Sequence, residues 1–401
     1  MRFQNTYVPY GGYWSSPFVR WQGSFSSLNA IPFAAEMTTR ALKDRNVFLN
    51  SFDSLYFGIT IPQKHSFYGQ TWFAGMIGAP EITGPMIAQA CATSARIIAN
   101  AASEVEASLH DRCILTVTCD RTSNGPHILY PNPLAPGGKA DVENWVWDNF
   151  GYDPYAKNPM IQTAENVAKE AGISREEQEE VVILRYKQYN DALKDNSAFL
   201  RRFMISPIEV KSGKKTIATV EGDEGVFPTT AEGLTRLKPV LKEGTVTYGA
   251  QTHPSDGNCG MILTSKEKAN ELSLDKDFEI QILAYGQARS KKGFMPMAPV
   301  PAARNALESA QLSVEDITCT KMHNPFTVND VYFSQEMGIA HESINNYGSS
   351  LVWGHPQAPT GMRLIIELIE ELTLKNGGYG LFTGCSAGDS AAAIIVEVNK
   401  V

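Results

Sequence analysis

Four side chains in this 401-residue chain have types and surroundings that can do chemistry: Cys91, His323, His355 and Cys385. Cys91 lies in Met86-Ile87-Ala88-Gln89-Ala90-Cys91-Ala92-Thr93-Ser94-Ala95. A short apolar approach gives way to small residues and then to a helical pattern. That places the sulfur at a helix N-terminus, where the positive end of the dipole favours a thiolate. Alone, a cysteine among alanines is usually a small buried hydrophobe. His355 lies between Gly354 and Pro356, inside the glycine- and serine-rich run that starts at Asn346. It therefore sits in a turn, and the small neighbours let other backbone come close. Cys385 ends an apolar strand and is followed by Ser386-Ala387-Gly388-Asp389, whose backbone amides are free to point at a reacting oxygen. His323 follows another apolar strand, in Met322-His323-Asn324-Pro325-Phe326, and Pro325 forces Asn324 out of helical conformation. Polar residues at strand ends of an α/β protein lie on its usual active-site edge. Each of these has a plainer structural reading as a core cysteine or a turn histidine.

The elements that must position these groups show a pattern. The stretch from Thr93-Ser94-Ala95-Arg96 to the strand ending at Cys119 resembles that from Thr360-Gly361-Met362-Arg363 to Cys385. Arg96 and Cys119 are 23 residues apart, Arg363 and Cys385 are 22. Each reads as an amphipathic helix followed by a short buried strand. Either an α/β unit is duplicated, or two helix–strand units are alike by chance. Between them the chain changes character. A loop rich in Pro, Gly and Asn covers Ser123 to Lys139. A charged helical stretch then runs from Thr163 to Asp195, with Ser174 and Glu177 spaced as a capping box and a solvated look.

Composition bounds the function. Hydrophobic residues make up 43% and charged residues 19%, enough apolar surface for two or three packed domains. A net charge of -8 argues against a nucleic-acid partner, since no excess of Lys and Arg is available for phosphates. No apolar run is long enough to span a bilayer. The termini carry neither a secretory pattern nor a peroxisomal address, which points to a cytoplasmic protein with reduced thiols. The six cysteines form no Cys-x-x-Cys pair, so no metal site is expected from them.

Taken together, these motifs resemble the thiolase family, in order, over nearly the whole chain. Cys91 matches the family's nucleophile, Gly354-His355-Pro356 its Gly-His-Pro loop, and Cys385 with Gly388 its C-terminal Cys-x-Gly-Gly loop. Met297 to Arg304, Pro228 to Gly257, and Thr163-Ala164-Glu165 also have counterparts. The resemblance implies a five-layered αβαβα fold built from two similar halves. It places an N-terminal half at 1–120, an inserted loop domain at 121–245 and a C-terminal half at 246–401, with the last strands of the first half near 246–265. It implies thiolytic cleavage of a 3-oxoacyl-coenzyme A, or the reverse Claisen condensation, through an acyl-cysteine. Cys91 would be the nucleophile, His355 its base and Cys385 the second acid/base. One oxyanion hole would consist of His355 and a water on His323, the other of the amides of Cys91 and Ala387. Thr252 and Met160 would contact coenzyme A, which is a substrate rather than a resident cofactor. A homodimer or higher oligomer is expected, and no metal.

There are departures from the family pattern. The usual Asn-Glu-Ala-Phe is His323-Asn324-Pro325-Phe326, with a histidine as in sterol-carrier-type thiolases. Ala387 stands for a glycine, Thr252 for a serine and Pro159 for a histidine. These changes, with an aromatic-rich N-terminus (Tyr10, Tyr13, Trp14, Phe18, Trp21, Phe25, Phe33), resemble thiolase subunits that work with a small zinc-binding OB-fold partner. One such type cleaves benzoylsuccinyl-coenzyme A, which implies a bulky or aromatic substrate. Most of those aromatics are expected to be ordinary core or dimer contacts. The competing readings are an acetoacetyl-coenzyme A-forming acetyltransferase, a ketoacyl synthase and a non-catalytic acyl-coenzyme A-binding homologue. A ketoacyl synthase would carry a second histidine where Cys385 stands.

Overall fold

The computed structural model describes residues 1–401. Two sheets carry the fold. The first has the spatial order Tyr13–Ser15, Ser255–Thr264, Cys113–Arg121, Ser54–Gly58, Met86–Ile87. The second has the order Phe278–Arg289, Ser390–Lys400, Gly377–Ser386, Ile317–His323. The pairing senses match step for step: antiparallel, antiparallel, parallel. The first sheet adds Met86–Ile87 as a parallel edge, and its counterpart in the second is a single parallel bridge between Thr320 and Ile344. The duplication is therefore one of topology, and chance likeness of two helix–strand units is set aside.

Helices Thr93–Ala107 and Ala358–Leu374 pack against each other between the two sheets. Helices Ala30–Asp44 and Gly69–Ile77 cover the outer face of the first sheet. Helix Pro299–Ala310, with Thr327–Met337 beside it, covers the outer face of the second. The result is the expected αβαβα stack. Both sheets are covered on two faces, so every residue of the central strand Ser255–Thr264 is buried, the polar Asp256 and Asn258 included. Of the N-terminal aromatics, Tyr13, Trp14, Phe18, Phe25 and Phe33 are core residues.

Helix Ala358–Leu374 has the expected amphipathic pattern, but its polar face does not meet solvent: residues 358–373 are all buried between the sheets. Its charges are met inside. The Arg363 guanidinium makes two 2.7 Å bonds to Asp223, donates to Glu367 at 3.0 Å and stacks 4.3 Å over Trp353. A buried cation is tolerated only with such complete pairing.

The chain between Arg121 and Ser255 adds no full strand to either large sheet, but it bridges the first sheet's edge at Ser15–Met204 and Val19–Glu224 and packs Ile205, Ile208, Val210 and Val220 into its core. The stretch from Ser123 is not all loop, since His127–Tyr130 pairs with Asp141–Asn144. The charged stretch divides at Gly172 into helices Met160–Ala171 and Arg175–Ala192, and the Ser174/Glu177 capping box forms. Its solvated look misleads in part. Gln178, Arg185 and Gln188 are buried, with Arg185 bonded to Asp330 at 2.9 Å.

Candidate active site

The four side chains converge. Cys91 follows Ala90, held at φ +43°, and precedes the helix that starts at Thr93. His355 is fixed by a loop that bridges to Pro254 and by its own N–H donating to His253 O at 2.9 Å. Gly354 makes this possible. Its φ is +93°, and a Cβ there would lie 1.8 Å from Ser255 Oγ, so only glycine fits. His355 Nε2 lies 3.1 Å from Cys91 Sγ, and its Nδ1 lies 2.6 Å from Thr360 Oγ1. Cys91 Sγ also lies 3.2 Å from Gln357 Oε1.

His323 ends strand Ile317–His323, and its ring lies 4.1 Å from that of His355, centroid to centroid. Its Nδ1 is 2.8 Å from Ser350 Oγ. That hydroxyl receives the Asn324 N–H at 3.2 Å and donates to Asn324 Oδ1 at 3.1 Å. With its hydrogen so used, Ser350 accepts from His323 Nδ1–H, and the lone pair of His323 sits on Nε2. Nε2 is buried and has no partner within the protein. Asn324 Nδ2 is held by Asp330, which Arg185 holds in turn. The histidine is thus anchored to the helix Arg175–Ala192 of the intervening segment.

Cys385 lies on strand Gly377–Ser386, where Asn329 Nδ2 donates to its sulfur at 3.3 Å. The tight turn that follows brings the Ala387 amide near enough to Cys91 to favour its thiolate, as the amide of Cys91 itself does. All four groups are buried.

Burial governs their charge. It pushes the Cys91 thiol up to about 12, against the lowering expected from a helix N-terminus, with the Ala387 and Cys91 amides pulling the other way. Burial first, then the nearby Cys91, holds Cys385 well above the usual thiol range. Burial depresses His323 to about 3 and pushes His355 well below its usual value, with His323 adding to the latter. The free site is therefore a set of neutral thiols and imidazoles. Burial also raises Asp120 to about 7, against its bonds to Thr60, Ile61 and Ala358.

Two cavities meet at this cluster. One, of about 270 Å³, is lined by Cys91, His355, Thr252 and Met160. The other, of about 420 Å³, is lined by Ala88, Ala90, Ala387, Trp145 and Tyr152. Phe150, Met160, Met295 and Gln357 face both. Thr252 spends its hydroxyl on Ser350 O. Sequence reasoning missed Gln357, Asn329, Ser350 and Thr360. Only Gln357 had a signal, as the residue directly after His355-Pro356.

A duplicated αβαβα fold with a cysteine, a histidine and a second cysteine at its centre defines a class of acyl-transferring enzymes that work on coenzyme A thioesters. The chain belongs to the thiolase family: the thiolase N-terminal domain matches residues 14–267 and the thiolase C-terminal domain residues 277–398. It is 29% identical to an acetyl-CoA acetyltransferase of Yarrowia lipolytica, covering 95% of this chain and 94% of that one. It is 28% identical to a 3-ketoacyl-CoA thiolase of Bacillus subtilis, covering 94% and 95%. The crystal structure of the Bacillus anthracis acetyl-CoA acetyltransferase has the same fold, with a TM-score of 0.89 at 26% identity, covering 99% of both chains. The protein is an acyltransferase of thiolase type. No helix is long and apolar enough to cross a membrane.

Proposed function

We propose that this enzyme cleaves a 3-oxoacyl-coenzyme A by thiolysis, or makes one in reverse, with the acyl group carried on Cys91. The observation that carries this is the 3.1 Å contact between Cys91 Sγ and His355 Nε2, with the Ala387 amide near the same sulfur. His355 takes the thiol proton, and the thiolate attacks the 3-oxo carbon. The new oxyanion is met by the amides of Cys91 and Ala387. The carbon–carbon bond breaks, and the departing carbanion receives a proton from Cys385. Its thioester oxygen is met by His355 Nε2–H and by a water that gives its other hydrogen to the His323 Nε2 lone pair. Coenzyme A then takes the acyl group from Cys91.

The 270 Å³ cavity is the coenzyme A side in this reading. Residues 121–245 act as the inserted unit, supplying Trp147, Phe150, Met160, Ile161 and Val240 to it. For the acyl group the 420 Å³ cavity supports something larger than acetyl, and Trp145, Phe150 and Tyr152 suit an aromatic ring. A homodimer is part of the same proposal. Edge strand Met86–Ile87 leaves Met86 exposed, and Tyr68 and Phe67 are exposed beside it. The OB-fold partner rests on the resemblance of His323-Asn324-Pro325-Phe326 alone. Thiolysis of acetoacetyl-, a long-chain 3-oxoacyl- and benzoylsuccinyl-coenzyme A, with and without such a partner, tests these points. The larger substrates are expected to give the higher kcat/KM. A clear preference for acetoacetyl-coenzyme A would leave the acetyltransferase reading in place, and no turnover of any would favour the non-catalytic one.

A further inference from the structure

We propose that Cys91, His323 and His355 form a binding site for a thiol-seeking divalent cation, with Zn²⁺ as its best occupant, in the substrate-free enzyme. The sulfur and the two imidazole nitrogens lie within 4.8 Å of one another, and all three residues are buried. A tetrahedral zinc ion holds such donors at roughly 2.0–2.3 Å, so small side-chain rotations close the set around one ion. The supporting bonds are those that zinc-binding histidines need. A metal-bound imidazole uses one nitrogen for the ion and donates its other N–H to a fixed acceptor. His323 Nδ1 is bonded to Ser350 and His355 Nδ1 to Thr360, which leaves both Nε2 atoms for an ion, and His355 Nε2 already lies 3.1 Å from the sulfur. His323 Nε2 is a buried acceptor that no protein donor satisfies. Cys91 and His355 line the 270 Å³ cavity, which supplies an access route and leaves the fourth position to a water or to Gln357 Oε1.

The set depends on the feature that sets this chain apart from the family's usual pattern. An asparagine in place of His323 would leave one thiolate and one imidazole, a weak site. On binding, the zinc–sulfur bond forms as the Cys91 S–H bond breaks, and one proton leaves to solvent. The ion occupies the nucleophile, so substrate and ion exclude one another.

The test uses the purified full chain after chelator treatment. Zn²⁺ is titrated by calorimetry in two buffers of different ionisation heat, and Co²⁺ by absorption. One ion per chain, release of one proton and a thiolate-to-cobalt charge-transfer band are expected. Cys91→Ala is expected to abolish the band, and His323→Asn to weaken Zn²⁺ binding at least tenfold. Ser350→Ala leaves all three donors in place but removes the hydroxyl that supports His323, together with its two bonds to Asn324, and is expected to weaken binding about ten- to a hundredfold. Thermal melts establish that each variant is folded. Absence of binding, a cobalt spectrum without the thiolate band, or equal affinity in wild type, Cys91→Ala and His323→Asn would overturn the proposal. The readouts are heat and absorption, so the result is independent of whether the chain performs acyl transfer.

Discussion

Cys91 Sγ and His355 Nε2 stand 3.1 Å apart in a site that burial keeps neutral. The proposed nucleophile is thus paired with its proposed base, and burial keeps the thiol neutral at rest. Alkylation of Cys91 by iodoacetamide is expected to keep rising from pH 7 past pH 9, because its thiol is pushed up to about 12. A rate that levels off below pH 7 would show a resting thiolate, and a different electrostatic balance.

Cys385 is placed beside Cys91 but is held by Asn329 rather than by His355. Its proposed role lies in the carbon-acid step alone. Cys385→Ala is expected to lose thiolysis by at least a hundredfold, in the range set for acid–base groups of about 10²–10⁴, while Cys91 still takes an acyl group from an acyl-coenzyme A. Loss of both reactions to the same extent would assign Cys385 to acylation as well.

In the proposed mechanism the His323 lone pair acts on charge that develops only during reaction. His323→Ala is expected to lower kcat far more than it raises KM. One oxyanion donor is worth about 2.7–4 kcal/mol, roughly a hundred- to a thousandfold in rate. The water-mediated contact makes the lower end the expectation. His323→Asn restores the family's usual side chain and is expected to retain more activity than His323→Ala. Asn324 cannot replace it, since its amide is committed to Asp330, Ser350 and Leu351. Wild-type kcat in His323→Ala would make the residue a strand end and nothing more.

Acid stability follows from the same burial. His323 and His355 are depressed by burial, so the folded chain keeps them neutral while the unfolded chain protonates them near 6.5. Below that value the unfolded state binds more protons, and stability is lost as pH falls from 6.5 towards 3. Each histidine contributes a slope of up to about 1.4 kcal/mol per pH unit. Urea unfolding at pH 7 and pH 5 is expected to show this fall, and His323→Asn a shallower one. An equal slope in both proteins would mean that His323 is protonated in the fold.

How much of this was legible depends on whether the signal was local. Cys91, His355 and Cys385 stand in short runs of Gly, Pro and small residues, which report the turns that expose them. Gln357 and Asn329 are ordinary polar residues in sequence. Their meaning comes from contacts with Cys91 and Cys385, 266 and 56 residues away, that only the tertiary fold makes. Helix Ala358–Leu374 misled for the same reason. Arg363, Glu367 and Glu370 look like a wet face, yet Asp223 and Arg202 come from distant segments to pair with them. The strands through Cys113–Cys119 and Ile394–Val398 were legible as apolar runs, whereas Ser255–Thr264 is buried throughout yet carries Asp256 and Asn258. The hairpin His127–Tyr130 with Asp141–Asn144 was not legible, since its strands are short, largely exposed and set in a run rich in Pro, Gly and Asn.

The central claim is that the acyl group travels on Cys91. The purified protein, mixed with an acyl-coenzyme A donor, quenched in acid and digested, is to be read by peptide mass spectrometry. The acyl mass is expected on the peptide that carries Cys91, to disappear on adding coenzyme A, and to be absent in Cys91→Ser, whose alcohol is a far weaker nucleophile than a thiolate at neutral pH. An acyl group found on Cys385 instead, or on no cysteine while turnover proceeds, would contradict it.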